Sequence, residues 1–315
     1  MSAGAAQVSV VLTCYNEAAF IGAAIESVQA QTASASIKSI IVVDDGSTDE
    51  SSVVLARFAA ADSRLVVRTI ANGGLAAARN EALLLVDTEF FAILDGDDLW
   101  REDKLARQLA AAAASDAALF YGDVVEFTHT PGLGRRTQVR RFTGDELDQL
   151  ERYFVYDAPI LPSTILVRTE AAREIGFFRA NVRLFEDTDF YRRLAAAGGR
   201  FAYVDGVLAE KRQRAASLSA QIGKWEHAML AASQAWGERD VRLRGLVRAR
   251  NGYRLSKIAQ AYLKVGDAGA ARRYALRALR LNPGNGRAYA YAALACLPHA
   301  LSRRVYGPAG GVMAT

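Results

Sequence analysis

Short apolar runs alternate with segments of helical periodicity along the first part of the chain. The apolar runs are rich in β-branched residues, which predicts buried strands at residues 8–14, 37–43, 65–70 and 90–94. Between them, apolar side chains recur every three or four residues, the spacing of a helix that buries one face. Strands that alternate with helices in this way indicate βαβ units. We therefore predict an α/β fold with a mostly parallel sheet flanked by helices.

The alternation continues less regularly after Trp100. The pattern predicts a helix at residues 104–114, strands at 119–125, 160–168 and 201–204, and a helix at 185–197. Residues 128–136 are rich in Gly, Pro and Arg, which favours a mobile flap.

Beyond about Gly206, helical patterns replace the strands. Small and apolar residues on both sides of Gly266-Asp267 predict a helical hairpin over 254–281 that resembles a tetratricopeptide repeat. A further helix at 287–297 would make about one and a half repeats, whereas a free-standing solenoid needs about three. We therefore predict two domains: an α/β domain at 1–216 and an all-α extension at 217–315.

Charge is divided unevenly between these parts. Residues 206–315 contain 19 basic and 5 acidic residues, a net charge of +14, whereas residues 1–205 have a net charge of −9. A basic segment can bind an anionic membrane, nucleic acid or an acidic partner, or it can simply be a solvated arginine-rich face. Nucleic acid is not expected, because the tail lacks interleaved aromatic residues and a known module. The features that suit peripheral membrane contact are Tyr289, Tyr291, Leu294, Leu297, Arg303 and Arg304.

The composition narrows the cellular setting. Hydrophobic residues make up 51% of the chain, which is enough for a sizeable core. The two cysteines, Cys14 and Cys296, provide neither a disulfide framework nor a CxxC metal site. The sequence has no run of 18 apolar residues and no signal-peptide pattern. We expect a cytoplasmic protein that can lie on the cytoplasmic face of the membrane.

Acidic and polar residues follow several predicted strands at the same end. The carboxyl ends of parallel strands form the edge where α/β proteins bind ligands. Carboxylate oxygens suit Mg²⁺ or Mn²⁺, which usually share their ligands with substrate phosphates. The pattern predicts a metal–diphosphate site, although Asp-Gly-Asp alone is equally typical of a turn. The residues concerned are Thr13, Asp44, Asp45, Arg79, Asn80, Asp95, Asp97 and Asp98.

An ordered set of motifs runs through residues 7–219. The set resembles glycosyltransferase family 2, the inverting transferases of GT-A fold, in VSVVLTCYNE, IIVVDDGSTDES, NGGLAAARNEAL, FFAILDGDDLW and LFEDTDFYRRL. The resemblance implies a Rossmann-like domain that binds a nucleotide-diphospho-sugar, with UDP or dTDP favoured. It also implies transfer of a hexosyl group to a hydroxyl of a glycan or lipid-linked acceptor, in cell-surface polysaccharide synthesis.

The resemblance assigns roles to the donor-side residues. Thr13 and Asp45 match nucleoside contacts, Asp44 the more structural acid, and Arg79 a basic residue beside the diphosphate. In the DXD motif, Asp97 is the expected direct ligand of Mn²⁺ or Mg²⁺, and Asp95, the other metal-site residue, is expected nearer the ribose or behind the direct ligand. Asp98 is expected to cap a helix or support its neighbours. Further nucleotide contacts are expected at Tyr15, Glu17, Asn72 and Gly96.

The acceptor side requires a base. An incoming hydroxyl must lose its proton as it attacks the anomeric carbon through an oxocarbenium-like transition state. Asp187 matches the catalytic base of the family, and Glu186 is the backup. The alternative is that both acids only favour the N-terminus of a helix through its dipole.

Several residues keep two interpretations. Trp100, Tyr153 and Tyr156 can form a sugar-stacking wall or pack in the core. Arg212 and Arg214, near Ser217 and Ser219, stand where the family often has a histidine near the diphosphate, so that contact is open. The histidines, for which ligand spacing predicts no metal site, are His129, His227 and His299.

Two other functions remain as alternatives to sugar transfer. A nucleotidyltransferase shares the βαβ start, but its Gly-rich basic loop is missing after the first strand. A non-catalytic transferase-fold scaffold would use the basic tail for binding. The sequence leaves the donor sugar, the acceptor and the oligomeric state undetermined.

Overall fold

A computed structural model of the chain describes residues 6–128, 131, 135–137, 146–156, 160–182, 185–213 and 226–297. The chain divides into two compact units, residues 1–150 with 158–214 and residues 151–157 with 215–315. The predicted domain boundary after residue 216 lies outside the described residues. So do most of the predicted flap and the residues His129, Arg214, Ser217, Ser219, His299, Arg303 and Arg304.

The first half of the sheet is parallel. Its strands are β1 (Val8–Cys14), β2 (Ile37–Asp44), β3 (Leu65–Thr69) and β4 (Phe90–Asp95), in the order β3-β2-β1-β4. They are connected by the helices α1 (Ile21–Gln29), α2 (Ser51–Ala61) and α3 (Leu75–Leu83). Every residue of β1 is buried, as expected for a strand with helices on both faces of its sheet. The predicted α/β fold is confirmed in this half.

The second half of the sheet is mixed. The remaining strands are β5 (Leu99–Trp100), β6 (Leu119–Phe127), β7 (Arg135–Thr137), β8 (Leu166–Arg168) and β9 (Phe201–Arg212). β8 runs antiparallel between β4 and β6, whereas β9 runs parallel to β6 and antiparallel to β5. The helices of this half are α4 (Lys104–Ala113), α6 (Thr169–Glu174) and α7 (Glu186–Ala196), and α5 (Glu146–Tyr156) has residues in both units. Parallel pairing therefore dominates only around β1.

The limits of two predicted strands differ most from those in the structure. Residues 160–168 contain a 3₁₀ turn, Pro162–Thr164, before the three-residue β8. Pro162 has no N–H to donate to a ladder, so the strand starts after it. The strand predicted at 201–204 continues to Arg212 as β9. It passes through Gly206, whose φ of 100° accompanies a shift in register against β6, as in a β-bulge.

The second unit contains the helices α8 (Glu226–Arg239), α9 (Val241–Arg244), α10 (Val247–Lys264), α11 (Ala268–Leu281) and α12 (Gly286–Leu294). The predicted hairpin is confirmed: Gly266 follows α10 at a φ of 85°, and Asp267 caps α11 by accepting the Ala270 N–H at 2.8 Å. Ala259 and Ala271 are buried in the core of this unit, whose small side chains allow close helix packing. Among the described helices, none combines the length and apolarity needed to cross a bilayer.

Candidate active site

The strand register brings the predicted edge residues to one level. Thr13 at the end of β1 pairs with Asp95 of β4 on one side and with Val43 of β2 on the other. Cys14 pairs with Asp44. Because the three strands are parallel, their carboxyl ends form one edge, and Thr13, Asp44 and Asp95 lie side by side there.

The loops after β1 and β2 are hydrogen-bonded to each other. The Asn16 N–H donates to Ser47 Oγ at 2.9 Å, and the Glu17 N–H donates to Ser51 Oγ at 3.0 Å. Asn16 adopts a φ of 54°, in the left-handed region that asparagine tolerates. Tyr15 is 50% exposed on this braced loop. Its ring is therefore accessible to a ligand at the edge.

Asp45 holds the loop that opens α3. Its two carboxylate oxygens accept the N–H groups of Gly73 and Gly74 at 2.7 and 2.9 Å. Each oxygen keeps a further lone pair, which a nucleoside N–H can use. Asp44 is buried and accepts a backbone N–H of its own loop at 2.9 Å, and Asn72 is exposed. Both aspartates are buried, and their division into a ligand-facing Asp45 and a structural Asp44 stays a prediction.

Gly96 has no room for a side chain. A Cβ atom at this position would lie 2.3 Å from Glu17 Oε2 and 2.7 Å from the Thr13 carbonyl oxygen. These separations are far below van der Waals contact, so any other residue would displace the loop. Gly96 and Glu17, both predicted nucleotide contacts, thus pack against each other at residues 95–98, which we call the acidic turn.

The three aspartates of the acidic turn have different environments. Asp95 and Asp97 are partly exposed, whereas Asp98 is buried. Asp98 accepts the Ser163 hydroxyl at 2.6 Å and the Arg212 N–H at 3.0 Å. Burial raises the pKa of Asp98, and the charges of Asp95 and Asp97 add to the shift. Asp98 supports the turn and caps no helix, since α4 begins beyond it.

Ser163 is a site residue that the sequence analysis did not identify. Its Oγ accepts the Asp95 N–H at 3.2 Å while it donates to Asp98, and its carbonyl oxygen accepts the Trp100 indole N–H at 2.8 Å. Trp100 is buried, with the Lys104 ammonium 4.0 Å from its ring centroid. Trp100 therefore belongs to the core and forms no sugar-stacking wall. The sequence feature that could have identified Ser163 is the polar Ser163-Thr164 pair after Pro162, inside an otherwise apolar run.

Arg212 closes the other side of the acidic turn. Its Nε donates to the Asp97 carbonyl oxygen at 3.1 Å. The guanidinium lies 4.8 Å from the ring centroid of Phe20 and 4.6 Å from that of Phe127. The sequence left the role of this arginine open, and the structure places it against the predicted metal-binding turn.

Arg79 lies between two acidic elements. It is 1% exposed and donates to Asp95 Oδ1 at 2.7 Å and to Glu186 Oε1 at 2.9 Å. Its guanidinium also faces the Phe178 ring, with 5.4 Å to the centroid. The neighbouring Asn80 exchanges two hydrogen bonds with the Phe178 backbone, at 2.7 and 3.0 Å. Both terminal nitrogens of Arg79 thus contact carboxylates of the site.

The predicted base lies at a strained corner. Phe185 has a φ of 60°, which is rare for a bulky residue, and α7 begins directly after it. Asp187 Oδ1 accepts the Thr188 N–H at 2.5 Å. Burial raises the pKa of Asp187, and the Arg79 charge opposes this shift. Burial also raises the pKa of Glu186, and the Asp187 charge adds to it. Arg79 links Glu186 to the edge at Asp95.

The acidic turn fits a divalent cation that shares its ligands with a diphosphate. Within the described residues, no group of three or more His, Cys, Asp or Glu side chains could hold a metal by itself. Mg²⁺ in phosphate-handling sites is usually held by one or two carboxylates, and the substrate supplies further oxygens. The partly exposed pair Asp95 and Asp97 is such a donor set.

The remaining aromatic candidates lie in the second unit. Tyr153 is 1% exposed, so its interpretation as a core residue is confirmed. Tyr156 is 38% exposed and packs edge-on against Tyr253, with 5.5 Å between the ring centroids. His227 is exposed on α8.

The amino-acid sequence of the chain matches those of known proteins. The profile described as "Glycosyl transferase family 2" matches residues 9–176. The succinoglycan biosynthesis protein ExoU of Rhizobium meliloti strain 1021 is 28% identical over 312 residues, 92% of this chain and 84% of that protein. The Escherichia coli protein WfgD, named UDP-Glc:alpha-D-GlcNAc-diphosphoundecaprenol beta-1,3-glucosyltransferase, is 29% identical over 140 residues, 44% of this chain and 54% of that protein.

A solved structure supports the fold. The mannosyltransferase PcManGT from Pyrobaculum calidifontis, in complex with GDP-Man and Mn²⁺, matches with a TM-score of 0.57 and 19% sequence identity. The match covers 96% of this chain and 87% of that chain. It confirms the expected α/β architecture, a sheet with flanking helices.

Proposed function

Since the chain belongs to glycosyl transferase family 2, we propose that it moves a sugar from a nucleotide-diphosphate donor to a hydroxyl of a glycan or lipid-linked acceptor, with inversion at the anomeric carbon. As a member of this family, the protein is a glycosyltransferase. The observation that carries the finer proposal is the joining of the acidic turn to the base helix through the Arg79 contacts with Asp95 and Glu186.

We propose UDP or dTDP as the nucleotide of the donor. Asp45 is fixed by the Gly73 and Gly74 amides at the strand edge, where its free lone pairs can accept the N3–H of uracil or thymine. Thr13 and Tyr15 lie on the neighbouring strand and its loop. The name of the relative WfgD also specifies a UDP-linked donor.

The leaving group would be held at Asp95 and Asp97. A bound Mn²⁺ or Mg²⁺ would neutralise the charge that develops on the departing diphosphate. Asp98, Ser163 and Arg212 fix the shape of this turn through hydrogen bonds of 2.6 to 3.1 Å. The PcManGT complex, which contains Mn²⁺, supports the use of a divalent metal.

Asp187 would act as the general base. In the proposed step its carboxylate accepts the proton of the acceptor hydroxyl as that oxygen bonds to the anomeric carbon. The bond between the anomeric carbon and the diphosphate oxygen breaks on the opposite face, and its electron pair leaves with the nucleotide diphosphate. Burial raises the pKa of Asp187, which makes it a stronger base than an exposed aspartate.

The acceptor we propose is lipid-linked and belongs to cell-surface polysaccharide synthesis. The names of two relatives support this: ExoU refers to succinoglycan biosynthesis, and WfgD to a diphosphoundecaprenol acceptor. Such an acceptor lies at a membrane. We therefore also propose that the enzyme acts at the cytoplasmic face of the membrane.

The outer face of α11 supports a peripheral contact of this kind. Arg272, Arg273, Leu276 and Arg280 are exposed and recur at helical spacing, so they share one face. Basic side chains around an apolar one favour binding to anionic lipids. In vesicle flotation at low salt, the protein should float with anionic liposomes and not with neutral ones. Equal recovery with both, or none with either, would contradict the contact.

A screen of nucleotide sugars by thermal shift tests the donor, the metal and the reaction class together. With Mn²⁺, a UDP- or dTDP-sugar should raise the melting temperature, since a ligand at 100 times its Kd adds about 2.7 kcal/mol of stability. The same sugars with a chelator should give little shift. Slow hydrolysis of the stabilising donor would then separate an enzyme from a non-catalytic scaffold. Stabilisation by no nucleotide sugar would contradict the proposed function.

A further inference from the structure

Arg79 is a buried cation shared by two parts of the site. It is 1% exposed, and its two terminal nitrogens contact Asp95 at 2.7 Å and Glu186 at 2.9 Å. Asp95 ends β4 beside the acidic turn, and Glu186 begins α7 directly before Asp187. One guanidinium therefore joins the predicted metal-binding turn to the predicted base.

Burial makes both contacts necessary. An ion without compensation inside a protein costs several kcal/mol, so a buried guanidinium needs carboxylates on its donors. The planar fork of arginine can hold two carboxylates at once, which the single ammonium of lysine does less well. Because Glu186 is also buried, loss of Arg79 would leave its carboxylate without a compensating cation.

We propose that Arg79 is a positioning residue that couples the metal-binding end of the site to the base helix, and that Glu186 acts through Arg79 and does not serve as a base. This inference rests on the proposed function for the metal at Asp95 and Asp97. It departs from the expectation that Arg79 balances the diphosphate directly and that Glu186 is the backup base.

The coupling has a definite sign. In the Glu186→Gln variant, Arg79 keeps its ion pair with Asp95 and loses the one with Glu186. The surroundings of Asp95 become more positive by one charge, so a divalent cation at the acidic turn binds more weakly. A change at the base helix thus alters metal affinity, although Glu186 lies outside the expected metal ligands.

Titration of Mn²⁺ into the UDP-saturated full-length protein measures this effect without transfer. Glu186→Gln should weaken Mn²⁺ binding about fivefold, in the range of coupling between residues that share a network. In an Arg79→Lys background the same substitution should weaken it less than about twofold, since lysine does not bridge both acids. Equal weakening in the two backgrounds would overturn the coupling through Arg79.

Asp189→Asn is the matched control for fold and net charge. Asp189 is buried in the first turn of the same helix, but its ion pairs are with Arg193 at 2.7 Å and Arg179 at 3.6 Å and not with Arg79. The Asp189→Asn variant should bind Mn²⁺ as tightly as the wild type. If it loses as much Mn²⁺ affinity as Glu186→Gln does, the proposal is overturned, even if Arg79→Lys does not fold. If the wild type binds no Mn²⁺ with UDP, the proposed metal site is wrong. If it binds Mn²⁺ and Glu186→Gln binds equally well, only this inference is wrong.

The turnover number separates positioning from base catalysis. With saturating Mn²⁺, Glu186→Gln should retain kcat within about tenfold of the wild type, whereas loss of a general base costs about a hundredfold or more. A kcat loss in Glu186→Gln as large as that in Asp187→Asn would show that Glu186 shares the role of base.

Discussion

The carboxyl edge of the sheet and the outer face of α11 both carry many charges, but they hold them differently. At the edge, Asp45, Asp98 and Glu186 are buried, and each contacts defined donors. On α11, Arg272 and Arg280 are exposed to solvent. The charges at the edge are therefore buried and hydrogen-bonded, whereas those on α11 are exposed to solvent.

This difference sets the size of the expected effects. A buried charge costs free energy unless every contact is in place, so removing one partner there changes both geometry and stability. Exposed charges interact weakly through water and salt, and single substitutions have small effects. Substitutions at the edge should act on chemistry or ligand binding, and substitutions on α11 should act only on association with anionic surfaces.

The largest effect is expected for Asp187→Asn. The amide cannot accept a proton from the acceptor hydroxyl, so kcat should fall about a thousandfold, within the range for general bases. UDP affinity in the presence of Mn²⁺ should stay within about twofold, because the substitution leaves the donor-side loops intact. Transfer kinetics and calorimetry measure the two quantities. Transfer at the wild-type rate would show that another group is the base.

A smaller effect is expected for Ser163→Ala. The substitution removes the 2.6 Å hydrogen bond to the buried Asp98 and should cost about 2 kcal/mol of unfolding free energy. It should also weaken Mn²⁺-dependent UDP binding, because the Asp95 N–H loses its acceptor. Ser39→Ala is the matched control, since Ser39 donates only to the Ser9 hydroxyl, at 2.9 Å. Equal UDP affinity in both variants would remove Ser163 from the site.

Charge reversal on α11 should leave the fold unchanged. In the variant with Arg272→Glu, Arg273→Glu and Arg280→Glu, the melting temperature should change by no more than about 2 °C. Flotation with anionic liposomes should be lost. A large fall in melting temperature would show that these arginines are structural, and unchanged flotation would place membrane contact elsewhere.

The two cysteines, Cys14 at the end of β1 and Cys296 after α12, differ in burial. Burial raises the pKa of Cys14 to about 11, whereas Cys296 is exposed. Because the thiolate is the reactive form, a thiol reagent at pH 8 should modify Cys296 rapidly and Cys14 only on unfolding. Stopped-flow absorbance should show one fast equivalent. Two fast equivalents would mean that the end of β1 opens readily.

The sequence predicted the parallel half of the sheet because those strands are continuous apolar runs. The mixed half of the sheet was harder to predict from the sequence. β8 is three residues long, and Pro162 explains locally why it does not start earlier, whereas the continuation of β9 through Gly206 does not follow from a local pattern. Strand direction and register depend on contacts between distant segments, which periodicity does not record.

The site divides in the same way. Thr13, Asp45 and Asp95 could be selected because strand ends in a parallel sheet share one edge. The Arg79–Glu186 contact joins residues 107 positions apart, and the Ser163–Asp98 contact joins residues 65 apart. Pairings at such separations come from the packing of whole elements, so they required the structure. The catalytic roles of Asp97 and Asp187 stay predictions.

Calorimetric titration of UDP with Mn²⁺ and with a chelator tests the metal–diphosphate site most directly. The wild type should bind UDP at least about tenfold more tightly with Mn²⁺, because the cation joins the diphosphate to the acidic turn. The UDP affinity of Asp97→Ala in the presence of Mn²⁺ should equal that of the wild type in the presence of a chelator. Equal UDP affinity with and without metal in the wild type would contradict the assignment of Asp95 and Asp97 as ligands.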